Sequence, residues 1–214
     1  MVAHEVRNPL AVIFNCVGAL EKVVVGQPDA EGLLVILSEE ANRLNQIVSE
    51  LLEFARPAEV LLRSESLEEI LIGAIAAVEG AQAQPPKVRI DLDMARPLLP
   101  LLLDARLVRR AVINLVGNAV QAMPNGGRIV VRVVEERLAG LPAVRIEVSD
   151  NGPGIPAANL DRIFDPFFTT KAFGTGLGLS IVKRVAEAHR GQLTVQSEEG
   201  HGTTFIIRLP SSPG

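Results

Sequence analysis

The chain contains no tryptophan and no tyrosine, one cysteine and only three histidines in 214 residues. Its formal net charge is −4. A nucleic-acid binder would offer basic surface and aromatic stacking platforms. This sequence has neither, so no nucleic-acid partner is expected. A single cysteine, Cys16, rules out an intrachain disulfide and fits a reducing, cytoplasmic compartment. Lying in an apolar helical stretch, Cys16 reads as a small buried hydrophobe. No apolar run reaches the length of a membrane span, and the longest, Leu98 to Leu103, is broken by Pro100. No signal peptide is visible. Met1 stands only three residues before His4, an abrupt start that points to missing upstream sequence, which could anchor the parent protein in a membrane.

What is present is apolar and ordered. Hydrophobic residues make up 48% of the chain, enough for a sizeable core in one or two domains. Over the first fifty-odd residues Ala3, Val6, Leu10, Ile13, Val17, Leu20 and Val24 follow a 3-4-3-4 spacing. Leu44, Ile47, Leu51 and Phe54 continue it after a turn signal at Gly26-Gln-Pro-Asp29. That is the a/d pattern of a helical hairpin with an apolar seam. A second copy would complete a four-helix bundle, so a homodimer is expected. The alternative is that the seam packs on its own chain.

Arg56-Pro-Ala-Glu59 reads as the end of the second helix and the start of a linker. The organisation expected is 1–56 for the hairpin, 57–65 for a linker and 66–214 for a second domain. Ser66-Leu-Glu-Glu69 is a capping box opening a helix to about residue 80. Strands are expected at Lys87–Asp93, Ile129–Val134, Val144–Val148, Leu193–Gln196 and Thr203–Leu209, with Gly140 and Pro142 in a loop between the second and third. Asp104 caps a long helix to Met123, and Leu177, Ile181, Val182 and Val185 mark another ending near Gly191. Strands and helices interleave and several strands are sequential hairpins. The fold class is therefore α+β: a helical hairpin, then an α/β sandwich with a mixed, largely antiparallel sheet covered by helices on one face.

The chemistry gathers in two places. Asp150-Asn-Gly-Pro-Gly154 puts a carboxylate at the mouth of a glycine turn (Gly152, Gly154), where it can accept from an exocyclic amine. Asp-Asn-Gly is also an ordinary turn former. Gly174-Thr-Gly-Leu-Gly-Leu179 leads into an apolar-periodic helix, whose free N–H groups and dipole suit phosphate. Between them, Phe164-Asp-Pro-Phe-Phe-Thr-Thr-Lys171 holds three of the seven phenylalanines and reads as a loop anchor and lid hinge. Lys171 either neutralises phosphate or is merely solvated. Asn114 and Asn118 lie four apart on one helix face, where amide oxygens can serve Mg²⁺; a polar stripe is the plainer reading. Far upstream, His4 falls just off the seam and points outward with Glu5 beside it and Asn8 one turn on. A carboxylate can hold one ring N–H and leave the other nitrogen nucleophilic. Zinc is disfavoured there, because Asn8 stands where a second histidine would be needed. His189 lies in the last turn of its helix, where a cation complements the dipole, and reads as structural.

Taken in order, His4-Glu-Val-Arg-Asn-Pro-Leu10, Asn114-Leu-Val-Gly-Asn-Ala119, Asp150-Asn-Gly-Pro-Gly154, Phe164–Phe168, Gly174-Thr-Gly-Leu-Gly178 and Gly202-Thr-Thr-Phe205 resemble the boxes of two-component sensor histidine kinases, over essentially the whole chain. The short lid between Lys171 and Gly174 resembles the nitrogen-regulation branch of that family. The resemblance implies a dimerisation and phosphotransfer hairpin followed by a gyrase-like ATP-binding domain. It implies ATP and Mg²⁺ as cofactors and a response-regulator receiver as partner. Asn118 would bind Mg²⁺, with Asn114 in support, and Asp150 would read adenine. Thr175, Gly176, Leu177, Gly178 and Leu179 would touch the phosphates, and Gln121 and Thr204 would line the pocket. His4 would accept the phosphoryl group, Glu5 would assist as acid or base, and Asn8 would position a water for dephosphorylating the partner. Two rivals stand beside this reading. ATPases resembling gyrase or MutL carry a glutamate base where this chain has Asn114, which cannot activate water. A pseudokinase scaffold is opposed by the intact His4 and glycine boxes.

Overall fold

The computed structural model describes residues 12–13, 15–20, 23–24, 28–55, 60–82, 87–94, 98–138, 140–171 and 174–211. The chain divides into two compact units, Met1–Pro57 and Ala58–Gly214.

In the first unit residues 15–20 are helical, and helix α1 runs Pro28–Ala55. Proline suits a first helical position because its missing N–H has no partner there anyway. Val17, Leu34 and Ala41 are buried, whereas Ile13, Leu20, Leu44 and Leu51 stay exposed. A single hairpin covers only part of a heptad seam. Cys16 is exposed too, contrary to the buried role expected of it. The seam positions Ala3, Val6 and Leu10, the linker Arg56–Glu59 and the Phe54 side chain lie outside the described residues.

The second unit begins with β1 (Arg63–Glu65), a strand inside the segment expected to be a linker. It pairs antiparallel with β3 (Leu101–Leu103) in a small two-stranded sheet. Between them come α2 (Leu67–Gly80) and β2 (Val88–Met94). Ser66 caps α2, its Oγ accepting the Glu69 N–H at 3.3 Å. Then follow α3 (Ala105–Ala122), β4 (Gly127–Leu138), β5 (Leu141–Asp150), the single-turn α4 (Ala157–Leu160), α5 (Gly178–Ala188), β6 (Gln192–Glu198) and β7 (Gly202–Pro210).

The main sheet has the order β2-β4-β5-β7-β6. Only the β2–β4 pair is parallel, because the chain crosses over through β3 and α3 between them. The other pairs are antiparallel. Alternation along each strand separates the two faces. Ile90, Ile129, Val131, Val133, Val144, Ile146, Val148, Phe205, Ile207 and Leu209 are buried. The helices α2, α3 and α5 pack against this sheet, and Leu71, Ala74, Val112, Leu115, Val116, Val182 and Ala186 complete the core.

The other sheet face carries ion pairs across strands. Arg128 and Arg89 flank Asp91 at 2.7 and 2.8 Å and hold its carboxyl below the ordinary value. Arg132 meets Asp93 at 2.8 Å, and Glu136 meets Arg208 at 2.9 Å. Such pairs add register more than stability. The β4–β5 hairpin is tighter than expected: pairing continues to Leu138 and Leu141, and Pro142 pairs with Arg137 inside it rather than lying in a loop.

Asp104 is a buried junction. Its Oδ1 accepts the Leu107 N–H at 3.1 Å and caps α3, while Oδ2 accepts the Leu61 N–H at 3.2 Å. Burial alone would raise its carboxyl, but the Leu61 and Leu107 N–H groups and Arg106 outweigh it and hold the pKa below the ordinary range. The Asp104 backbone N–H donates to His189 Nε2 at 3.0 Å, and His189 Nδ1 lies 2.8 Å from the Val185 carbonyl. A ring nitrogen that accepts an N–H carries no proton, so Nδ1–H is the donor and the ring is neutral. His189 is therefore structural, as expected, but as a buried neutral link between helices rather than a helix-end cation.

Asp104→Ala removes the cap and orphans the Leu61 N–H; a loss of about 2 kcal/mol is expected. Asp104→Asn should lose less, because it keeps an acceptor. The lowered pKa makes the carboxylate's contribution present above the unfolded-state value and lost as pH falls through the folded one. Urea unfolding of the three proteins at neutral pH checks the order.

Candidate nucleotide-binding site

Asp150 ends β5 half-buried, on the helix-covered face. Its Oδ1 accepts the Gly152 N–H at 2.9 Å, and the Thr203 N–H also donates to the carboxylate. Burial raises its carboxyl, and these two bonds offset part of the rise. The turn that follows needs its glycines. Gly154 has φ +71°, and a Cβ there would overlap the Glu198 carbonyl oxygen. At Gly152 a Cβ would come within 2.9 Å of Asp150 Oδ1 and 3.1 Å of Met123 Cγ. Met123 is buried at the end of α3 and underlies both Gly127 and Gly152. Sequence reading marked it only as a helix terminus.

The second glycine run is held by the phenylalanine segment. Gly176 has φ +69°, and its carbonyl accepts the Phe167 N–H at 3.0 Å. Phe167 itself is left-handed at φ 68° and exposed, a conformation that is uncommon for a bulky residue. Phe164 packs edge-on against Phe205 with centroids 6.5 Å apart, which anchors the loop as expected. The Leu177 N–H donates to Thr175 Oγ1 at 3.2 Å, and the Leu177 side chain is buried at the foot of α5. The first N–H groups of α5, from Gly178 and Leu179 onward, have no acceptor within the helix.

The amide row of α3 meets this foot. Asn114 Nδ2 donates to the Gly178 carbonyl at 3.4 Å. Lys171 Nζ donates to Asn118 Oδ1 at 3.2 Å and to Gln121 Oε1 at 2.8 Å. Lys171 is thus not merely solvated: its ammonium is held by two amide oxygens, and desolvation lowers its pKa. Gly174 lies against Thr169, whose Oγ1 accepts the Lys171 N–H at 3.1 Å.

From Asn114 to Met123 the helix rises about 13 Å at 1.5 Å per residue. One end touches Gly178 and the other the Asp150 turn, a span suited to a nucleoside triphosphate. The amide row, Lys171, both glycine runs and Asp150 are therefore brought to one line. Thr204 is not. It pairs with Ser149 on the opposite sheet face, their hydroxyls 2.9 Å apart, and Thr203 is the residue beside Asp150. Strand alternation would have separated the two threonines had the register been known. His4, Glu5 and Asn8 lie outside the described residues.

Comparison with known proteins gives concordant results. Residues 103–213 match the family described as histidine kinase-, DNA gyrase B- and HSP90-like ATPase, and residues 1–60 match the His Kinase A (phospho-acceptor) domain. The sensor histidine kinase ZraS of Salmonella typhi is 36% identical over 209 residues, covering 98% of this chain and 44% of that protein. The signal transduction histidine-protein kinase AtoS of Escherichia coli K12 is 36% identical over 214 residues, covering 99% and 34%. Sporulation kinase E of Bacillus subtilis is 32% identical over 209 residues, covering 98% and 28%. The chain spans less than half the length of these curated relatives. Among solved structures, full-length ShkA in complex with AMPPNP aligns with a TM-score of 0.82 at 28% identity, over 100% of this chain and 45% of that one. Histidine kinase ThkA in complex with response regulator protein TrrA aligns with a TM-score of 0.71 at 28% identity, over 99% and 60%.

A raised Asp150 pKa means that the folded state holds this proton more tightly than the unfolded chain. Stability then falls as pH rises through the interval between the two values, and the ionised group costs stability at neutral pH. Asp150→Asn keeps an oxygen for the Gly152 and Thr203 N–H groups and removes the charge. A rise in Tm of about 2 °C is expected at pH 7, vanishing at acid pH where aspartate is protonated in both states. Scanning calorimetry at pH 7 and near pH 3.5 measures both; a variant less stable at pH 7 rejects the account.

Proposed function

The chain belongs to the sensor histidine kinases of two-component systems, and from that premise we propose that it autophosphorylates His4 from ATP–Mg²⁺ and passes the phosphoryl group to an aspartate of a response-regulator receiver. In this reading residues 1–56 form the dimerisation and phosphotransfer domain, 57–65 a joint and 66–214 the catalytic domain. The observation that carries it is the line-up along α3: Asn114 at the Gly178 end, Asn118 and Gln121 with Lys171 farther along, and the Asp150 turn at the Met123 end.

The residues present fit a hard cation. Asn118 Oδ1 and Gln121 Oε1 are neutral oxygen donors that already accept from an ammonium. Asn118 would hold Mg²⁺, which when bound neutralises and orients phosphate oxygens. Asp150 accepts the adenine amino group. The N–H groups from Thr175 to Leu179 cradle the phosphates, and Lys171 adds a positive charge on the lid side. Phosphoryl transfer needs little covalent chemistry beyond such positioning. The γ-phosphorus bonds to a ring nitrogen of His4 as its bond to the β–γ bridging oxygen breaks, and ADP leaves. Glu5 orients the ring and takes its proton. Asn114 spends its amide on the Gly178 carbonyl and has no basic group, which favours a kinase that spares water over a hydrolase.

The AMPPNP bound to ShkA supports ATP as the nucleotide, and the ThkA–TrrA complex supports a receiver as the partner. The exposed Ile13, Leu20, Leu44 and Leu51 support homodimerisation through the hairpin. Asn8 would position a water that hydrolyses the phosphoryl group from the receiver's aspartate, releasing inorganic phosphate. Among the described residues no helix is long and apolar enough to cross a membrane. The catalytic region is assigned to the cytoplasm, where ATP is available, and nucleic acid is not assigned as a partner.

His4→Gln should abolish acid-labile labelling from γ-labelled ATP while leaving nucleotide affinity within about twofold; retained label rejects His4 as acceptor. Asn118→Ala should weaken Mg²⁺-dependent ATP binding at least tenfold, about 1.4 kcal/mol, by calorimetry. Sedimentation at micromolar concentration should give a dimer; a stable monomer rejects the bundle.

A further inference from the structure

β6 carries a residue that none of the nucleotide-site motifs contains. Ser197 stands opposite Thr203, which stands opposite Asp150, so the three form a row across β6, β7 and β5. The Ser197 hydroxyl has three neighbours: the Ile155 N–H at 2.8 Å, the Gly202 carbonyl at 2.9 Å and Thr203 Oγ1 at 2.9 Å. A hydroxyl offers one hydrogen and two lone pairs. The Gly202 carbonyl can only accept, so it takes the hydrogen. The Ile155 N–H can only donate, so it takes one lone pair. Thr203 Oγ1–H must then donate to the other. Only this assignment satisfies all three contacts, and it uses every valence of the serine.

Those three neighbours frame Asp150. Ile155 closes the turn that Asp150 opens. Thr203 supplies, through its backbone, one of the N–H groups on the Asp150 carboxylate, and Gly152, within the turn, supplies the other. Gly202 has φ +92°, and a Cβ there would overlap the Asp150 carbonyl oxygen, so the two backbones touch. The Gly200 N–H adds a bond of 2.7 Å to the Pro153 carbonyl in the middle of the turn.

We propose that Ser197 is a positioning residue for nucleotide recognition: its hydroxyl ties the Asp150–Ile155 turn to the β6–β7 hairpin and thereby aims the Asp150 carboxylate at the exocyclic amine of the base. This rests on the adenine-reading role proposed for Asp150. Ser197 acts through the turn and touches no nucleotide, so its signature is lost selectivity for the 6-amino group rather than lost binding of triphosphate in general.

The test uses the 214-residue chain and two probes, Mg²⁺–ATP and Mg²⁺–ITP, in which an oxygen replaces the 6-amino group. Affinities are measured by calorimetry for the wild type, Ser197→Ala, Ser197→Thr and Asp150→Asn. Ser197→Ala is expected to cut the ATP-over-ITP preference about three- to tenfold, the worth of one misaligned hydrogen bond. ITP affinity should change less than about twofold. Ser197→Thr, which keeps the hydroxyl, should restore the preference, and Asp150→Asn should abolish it. If Ser197→Ala weakens both nucleotides equally, or leaves the preference intact while Asp150→Asn removes it, the role of Ser197 is overturned and that of Asp150 stands. If Asp150→Asn also leaves the preference intact, both are overturned.

Discussion

Two contacts at opposite ends of α5 fix it antiparallel to α3, and the candidate nucleotide site depends on that pairing. At the start of α3 the Asp104 N–H meets His189 at the end of α5. Midway along α3 Asn114 meets Gly178 at the start of α5. With both ends tied, the free N–H groups of α5 face the amide row of α3 at a set distance. The first contact is buried and lies at the end of α5 away from Gly178. It works because His189 is neutral and can accept, since a protonated ring would turn an attraction between N–H and nitrogen into a clash of donors. Asp104 gathers the cap of α3, the Leu61 backbone and this histidine into one junction, so the entry of the chain into the second unit is fastened to the helix that carries the site.

The candidate site between those clamps is built from groups suited to positioning charge rather than to covalent chemistry. Backbone N–H groups, three side-chain amides and one ammonium are arranged before any ligand arrives, so little reorganisation remains for the moment of reaction. Lys171 resting on Asn118 and Gln121 keeps those amide oxygens satisfied with a cation. The Asp150 end is different in kind. Asp150 is a carboxylate held at some cost by burial, and a glycine turn lets neighbouring backbones come close enough to pin it. Such local strain is tolerated where the surrounding structure over-determines it, here through the hydroxyls and backbone bonds of β6 and β7.

Much of this was legible in the residues. Caps at Ser66 and Asp104, the alternating strands and the order of the glycine boxes each have a local cause, so local reading found them. Misreadings share another cause. The β1–β3 pair joins short segments nearly forty positions apart, and nothing in three residues signals a distant partner. Thr204 was read in place of Thr203 because motif spacing does not tell which face of a strand a residue takes. His189 is structural as its place predicts, but its partner lies 85 positions away, so no local pattern shows that it is a neutral acceptor. Cys16 was read as buried because an apolar stretch was taken to be covered, and one hairpin leaves a flank open.

Sequence alone therefore determined the family, the fold class and the helix caps, and it supplied the residues proposed for the nucleotide site, because caps, periodicity and glycine turns act over a few positions. Tertiary structure decided which of those residues meet: the amide row with Lys171, Met123 beneath the Asp150 turn, Thr203 rather than Thr204, and Ser197 behind them. Strand register and helix pairing set these contacts, and both are properties of segments brought together from far apart in the chain. No local pattern encodes them.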